Sequence, residues 1–86
     1  MNELFYFVAV NFVYDPKLPN FKFWYLCDFE EAEVGDWIVA PLGNHDRLQD
    51  GIIIETRHAT AAEAPYPIDR IKRIKFLKKE SQGVQN

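Results

Sequence analysis

Residues 21–27 form the stretch on which the interpretation of the whole chain depends: Phe21-Lys22-Phe23-Trp24-Tyr25-Leu26-Cys27. Successive side chains of a β-strand point to opposite faces of the sheet. One face therefore carries Phe21, Phe23, Tyr25 and Cys27, and the other carries Lys22, Trp24 and Leu26. The period of two predicts a β-strand with a buried aromatic face, and it sets Trp24 on the opposite face beside a cation.

Three further strands are predicted on either side of this one. Residues 4–14 are rich in Phe, Tyr and Val, contain neither Gly nor Pro, and end before Asp15-Pro16. Residues 37–42 form a short apolar run, and residues 52–57 begin with three isoleucines. β-Branched and aromatic residues favour strands, and the isoleucine run suggests burial on both faces.

Glycines and prolines indicate where these strands turn. We expect Gly35 and Gly43 to occupy turns with positive φ, because glycine adopts that conformation without a Cβ clash. Gly51, inside a predicted strand, is interpreted as a β-bulge. Residues 44–47 form a polar hairpin-type loop, and residues 60–63 suit a short helical turn within a loop.

The last element, residues 68–77, fits two interpretations. Ile68, Ile71, Ile74 and Leu77 lie at helical spacing, whereas the β-branched content suits a strand. We favour a single helical turn over residues 67–70 followed by a strand. Five short strands without a long helix predict a mostly β fold, a small five-stranded barrel of the SH3-like or OB-like type with at most one or two short helical turns. We expect residues 1–80 to form one small β-barrel domain and residues 81–86 to form a disordered tail.

Composition limits the possible location and assembly of the protein. The chain has 86 residues, 48% of them hydrophobic and 15% aromatic, which is a large apolar share for so small a core. Some rings should remain at the surface, where a homodimer would cover them. The single cysteine and the lack of a signal sequence favour a cytoplasmic location. The longest apolar run is much shorter than the roughly twenty residues that span a bilayer, so no membrane segment is expected.

Charge is distributed unevenly along the chain. Residues 1–69 hold twelve acids and four bases, whereas residues 70–86 hold six bases and one acid. The basic residues of this end are Arg70, Lys72, Arg73, Lys75, Lys78 and Lys79. They form either a solvated strand face or a local site for phosphate or for an acidic protein surface. The acidic remainder opposes strong non-specific binding to nucleic acid.

Three segments together resemble a known DNA-binding domain. They are residues 23–26, FWYL, residues 34–43, VGDWIVAPLG, and residues 51–54, GIII, and a Pro67-Ile68-Asp69-Arg70-Ile71-Lys72 sequence follows. The pattern is similar to the amino-terminal domain of the primosomal replication-restart helicase PriA. Short stand-alone bacterial proteins share the same core and an ending similar to residues 64–72, APYPIDRIK.

The resemblance implies a pocket for the terminal nucleotide of a DNA strand. The family's aromatic residue corresponds to Phe23, and its glycine corresponds to Gly43. Trp24 stands at the position of the family's acidic residue, so the acceptor for a free terminal hydroxyl is missing here.

No catalytic or metal-binding pattern occurs in the sequence. The only serine is Ser81, and Cys27 has no sequence cue for a histidine partner. Neither a C-x-x-C nor an H-x-x-x-H spacing is present. We therefore expect a protein without enzymatic activity, cofactor or metal.

Two functional hypotheses follow. In the first, the protein is a protein-interaction or assembly module that buries exposed aromatics against a partner or a second copy. In the alternative, it binds single-stranded DNA or a nucleotide end. Phe23, Trp24 and Tyr66 would then stack bases, and phosphates would be held by Arg70, Lys72, Arg73 and Lys75. Trp24 is interpreted as a ligand contact, a member of a second core layer or part of a dimer interface.

Overall fold

Five antiparallel strands form one sheet in the computed structural model, which describes residues 3–12 and 22–78. The strands are β1 (Phe5–Asn11), β2 (Phe23–Leu26), β3 (Trp37–Leu42), β4 (Arg47–Ala59) and β5 (Phe76–Lys78). They lie in the order β2-β1-β4-β3-β5. The predicted mostly β fold is confirmed. β4 is longer than the predicted strand at residues 52–57, because it pairs with both β1 and β3 along its length.

Helical structure is limited to short turns. A 3-10 helix covers Ala61–Glu63, where a helical turn was predicted, and the Thr60 N–H donates to the Glu63 carboxylate at 3.4 Å. The Arg70 and Ile71 N–H groups both donate to the Pro67 carbonyl, which makes a single turn before β5. A turn followed by a strand is confirmed, but the strand is limited to Phe76–Lys78, and residues 71–75 connect the two without forming a strand. No helix in the described residues has the length and hydropathy needed to cross a membrane.

The sheet is not closed into a barrel, so that part of the prediction is wrong. Its two edge strands, β2 and β5, share no ladder. The chain before β5 makes one isolated parallel bridge, between Leu26 and Arg73, and then leaves β2 to pair with β3. The residues that bond to β2, 72–74, are followed by those that pair with β3, 75–78, so no segment pairs with both strands at once. Within the described residues, the edge of β2 stays open on the Trp24 side of Leu26.

The main hydrophobic core lies on the face of β2 that the alternation predicted to be buried. Its largest fully buried side chains include Val8, Val10, Ile38 and Ile53, and Tyr25 and Cys27 are also buried there. Phe23 is partly buried against the same cluster, and its ring meets Phe12 edge to face at 5.5 Å. Phe21 was predicted on this face and lies outside the described residues, as do residues 13–14, Lys79 and the tail at 81–86.

A second, smaller core covers the opposite face of β1 and β2. Phe7, Leu26 and Ala59 are buried in it, and Trp24, Ile68 and Ile71 pack against them. The loop between β4 and β5 thus shields part of this face. Trp24 belongs to a second core layer, which is one of the three roles considered for it.

Gly35, Gly43 and Gly51 are required for two different structural reasons. Gly35 and Gly43 have φ values of +99° and +82°, as predicted for turns. Gly51 marks no bulge: the register of β1 and β4 shifts at Ala9/Val10 instead. Gly51 is needed because a Cβ there would collide with the Val10 side chain and lie 3.1 Å from the Asn11 carbonyl oxygen. Close approach of β1, not strand irregularity, requires the glycine.

Candidate binding cleft at the open edge of the sheet

A cleft of about 190 Å³ lies where the barrel fails to close. Its walls are β2, the end of β3 and the loop that precedes β5. The lining residues are Phe23, Trp24, Tyr25, Leu42, Gly43, Tyr66, Arg70, Ile71 and Lys72. Six of the eight predicted site residues are among them; the other two, Arg73 and Lys75, lie outside. We call this feature the aromatic cleft.

The aromatic cleft runs along the edge of β2 rather than over one of its faces. Phe23, Trp24 and Tyr25 all line it, although their side chains alternate between the two faces of the strand. Three consecutive residues can border one cavity when the cavity follows the strand's edge. The β2 backbone is therefore part of the wall.

The rings of the cleft are fixed to different degrees. Trp24 is half-buried, and the Arg57 guanidinium lies 4.8 Å from its ring centroid. A cation over an indole is worth roughly 0.5–1 kcal/mol at an exposed site, so Arg57 helps to hold the ring in place. Tyr66 is 40% exposed and is the most accessible ring of the cleft. The site thus combines a fixed indole with an accessible phenol.

Tyr25 closes the floor of the cleft. Its hydroxyl donates to the Pro41 carbonyl at 2.6 Å, which ties β2 to the end of β3 across the gap. Burial raises the pKa of Tyr25, with smaller contributions from Tyr66 and Asp46. The phenol therefore stays neutral and acts as a structural donor.

Two of the four predicted phosphate-binding cations are already paired with carboxylates. Lys72 Nζ lies 2.6 Å from Asp46 Oδ1 and also donates to the Gly43 carbonyl at 2.8 Å. Arg73 Nη1 lies 2.6 Å from Asp28 Oδ1. Within residues 3–12 and 22–78, Arg70 and Lys75 have no carboxylate partner. Arg70 is the unpaired cation at the aromatic cleft itself.

A shallow basic groove continues from the cleft. It has a volume of about 310 Å³ and is lined by Pro41, Asp46, Leu48, Lys72, Arg73 and Lys75. Lys72 borders both depressions. The structure thus brings Arg73 and Lys75 together in the basic groove, which Lys72 connects to the aromatic cleft.

A further depression, which Arg73 borders as well, carries more acidic than basic side chains. It has a volume of about 400 Å³ and includes Glu3, Asp28, Glu30 and the buried Cys27. Burial raises the pKa of the Cys27 thiol, which donates to the Phe29 carbonyl at 3.4 Å. A buried, protonated thiol is a poor nucleophile, so Cys27 serves as a packing residue.

Sequence reasoning missed three lining residues, Tyr25, Leu42 and Ile71. Tyr25 was assigned to the core, which it does join, and it borders the cleft as well. Only the path of the chain around the 67–70 turn brings Ile71 beside β2. No local pattern carries that information.

Among known proteins, no family model, curated sequence or solved structure matches this chain. What the protein binds has to follow from its own residues.

Proposed function

We propose that the protein is a non-catalytic interaction module that binds another protein through the aromatic cleft. The observation that carries this proposal is a convergence at the aromatic cleft of an accessible ring at Tyr66 with a strand edge and an Arg70 side chain that are both unpaired within residues 3–12 and 22–78. A cavity of about 190 Å³ is smaller than the roughly 300 Å³ at which small-molecule pockets begin. It suits a single side chain better than a whole cofactor.

Charge pairing favours a protein partner over nucleic acid. Lys72 and Arg73, which were expected to hold phosphates, are 2.6 Å from Asp46 and Asp28. A phosphate would have to displace these carboxylates or lie beside them. Nucleic-acid affinity depends mainly on free cations, so this arrangement weakens it.

Single-stranded nucleic acid, including a nucleotide end, is the second candidate. The geometry that favours it is the continuity of the aromatic cleft with the basic groove through Lys72. A base could stack in the cleft while its phosphates follow Lys72 and Lys75. The resemblance to the helicase domain points the same way.

The proposed function is tested by capture from an extract of the source cells. Wild-type protein, Tyr66→Ala and Val34→Ala are immobilised in parallel. Tyr66 and the control residue Val34 are both exposed, so neither change should unfold the chain. A protein held by wild type and Val34→Ala and lost from Tyr66→Ala supports the proposal. Equal retention on all three contradicts it.

The nucleic-acid candidate is tested by tryptophan fluorescence. An oligothymidylate is titrated at low and then moderate salt. Phosphate contacts predict binding that falls steeply as salt rises. If the tryptophan fluorescence does not change on titration at low salt, this candidate is ruled out.

We also propose a cytoplasmic location, favoured by a single cysteine that is buried as a free thiol. Self-association into a homodimer is favoured by apolar side chains on the outer face of β3, β4 and β5. Leu48, Ile54 and Phe76 are all exposed there, and none belongs to either core cluster.

A further inference from the structure

The hydrogen-bonding direction of β2 can be followed residue by residue. The Leu26 N–H donates to the Lys72 carbonyl, and the Leu26 carbonyl accepts from the Ile74 N–H. Both groups therefore point away from β1. The Cys27 N–H, one residue later, donates to the Tyr6 carbonyl in β1. Backbone groups alternate along a strand, so the Trp24 N–H and C=O point outward like those of Leu26.

These two groups of Trp24 face the aromatic cleft. β2 is an edge strand, and within residues 3–12 and 22–78 no backbone bond to Trp24 occurs on its outer side. A strand edge with an open donor and acceptor is a template for another extended chain.

The protein itself supplies such a chain one step further along the same edge. Residues 72–74 lie parallel to β2 and bond to Leu26. The 67–70 turn places Ile68 and Ile71 against the face of β2 at Trp24, and residues 67–71 make no backbone bond to Trp24. An added segment would continue the line that residues 72–74 begin.

We propose that the aromatic cleft accepts an extended acidic peptide segment that adds to the edge of β2 at Trp24. This inference rests on the proposed function and names its partner class and binding mode. A peptide N–H donates to the Trp24 carbonyl, and a peptide carbonyl accepts from the Trp24 N–H. An apolar or aromatic side chain of the segment fills the cleft beside Tyr66. Main-chain bonds supply affinity in this mode, and the side-chain pocket supplies specificity.

Charge specifies the acidic character of the segment. The lining residues include two cations, Arg70 and Lys72, and no carboxylate. Lys72 is neutralised by Asp46, so Arg70 is the group that a peptide carboxylate would meet. A guanidinium binds a carboxylate through two parallel hydrogen bonds, which suits a side chain next to the one in the cleft.

The probe is the capped peptide acetyl-Asp-Thr-Phe-Thr-Asp-amide. Two analogues carry N-methyl groups, one on both threonines and the other on the phenylalanine and the aspartates. In an extended segment, every second N–H points toward β2. The analogue whose methyl groups block those N–H groups should bind about tenfold more weakly than the parent, and the other analogue should bind about as well as the parent. Side-chain docking without strand addition would not separate the analogues in this way.

Amide hydrogen exchange reports the same event in the protein. In the free protein, the Trp24 amide should exchange much faster than the Tyr25 amide, which faces Val8 in β1. The parent peptide should slow exchange at Trp24 by about tenfold or more. An Arg70→Gln variant should bind the parent peptide more weakly than the wild-type protein does. A peptide in which Asn replaces both Asp residues should bind equally well to the variant and to the wild type.

Two results overturn the inference. One is equal binding of both N-methyl analogues, and the other is unchanged exchange at Trp24 with the parent peptide at millimolar concentration. Neither result decides the proposed function, because the capture experiment with Tyr66→Ala tests protein binding without assuming strand addition.

Discussion

Lys72 Nζ lies 2.6 Å from Asp46 Oδ1, so the hairpin between β3 and β4 holds a cation at the rim of the aromatic cleft. The two side chains are 42% and 64% exposed. Ion pairs at such exposure contribute about 0–1 kcal/mol to stability. In the proposed binding of an acidic partner, the pair limits how far Lys72 is available, so its effect on affinity should exceed its effect on stability.

Asp46→Asn should therefore strengthen binding of an acidic ligand. Asn tolerates the positive φ of 52° at this position, so the loop keeps its shape. We expect affinity for the acidic peptide or for an oligothymidylate to rise several-fold, measured by fluorescence titration, with little change in unfolding free energy. Asp50→Asn is the matched control, because Asp50 pairs with Lys78 away from the cleft. A similar gain in both variants would show a general charge effect only.

Gly51→Ala should destabilise the protein by about 1–3 kcal/mol, because overpacking forces neighbours to move. The new Cβ would press on Val10, which is fully buried, and on the backbone of Asn11. Urea denaturation provides the measurement. Arg47→Ala, an exposed change in the same strand, should stay within about 0.5 kcal/mol of wild type. Equal midpoints for the two variants would contradict the close approach of β1 and β4.

Gly35→Ala and Gly43→Ala should each cost about 1 kcal/mol or more for a different reason. Nothing lies within 4 Å of a Cβ built at either position, so packing is not involved. The cost comes from the positive φ, which L-residues with a Cβ adopt at an energetic penalty. Thermal or urea unfolding measures it. Unchanged stability in both variants would remove the argument from turn geometry.

Tyr25→Phe should lower the unfolding free energy at neutral pH. The variant should also lose less of its unfolding free energy than the wild type as the pH becomes alkaline. Removing the hydroxyl leaves the Pro41 carbonyl without its 2.6 Å donor, at a cost of about 1 kcal/mol. Burial raises the pKa of Tyr25 above that of an unfolded tyrosine, near 10. The unfolded chain then loses its proton first, so the contribution is complete below about pH 10 and falls as pH rises further.

Urea denaturation at pH 8 and above pH 10 separates these two effects. Burial also raises the pKa of Tyr6, so the variant should retain part of the alkaline loss of stability. An identical decline in wild type and variant would contradict the role assigned to Tyr25.

Phe76→Ser should weaken self-association without unfolding the chain. Phe76 is 53% exposed on the edge strand β5, so its loss removes little core packing. Sedimentation velocity over a range of protein concentrations gives the measurement. Val34→Ser, an equally exposed change in a turn, should leave the association unchanged. A wild-type protein that remains monomeric at high concentration would refute the homodimer.

Much of the fold follows from local patterns in the sequence. The period of two at residues 21–27 predicts β2 and assigns Tyr25 and Cys27 to the buried face, as the structure confirms. Proline at 67 predicts the turn before β5. Closure of the barrel was predicted wrongly, because it depends on how far β5 extends and which neighbour it chooses. Such pairing is a tertiary competition that no short segment encodes.

By itself, the sequence determined the approximate positions of β1, β2 and β3 and the turns at Gly35 and Gly43. These follow from side-chain alternation and backbone sterics, which act over a few residues. Only the tertiary structure decided that Lys72 and Arg73 are neutralised, because Arg73 meets Asp28 across 45 positions of sequence. It also decided that Trp24 is half-buried beneath Ile68 and Ile71 and that, among the residues the structure describes, nothing bonds to the outer side of its backbone. Long-range packing sets both, since the chain must turn at residues 67–70 before it can cover one face of β2 and expose its edge.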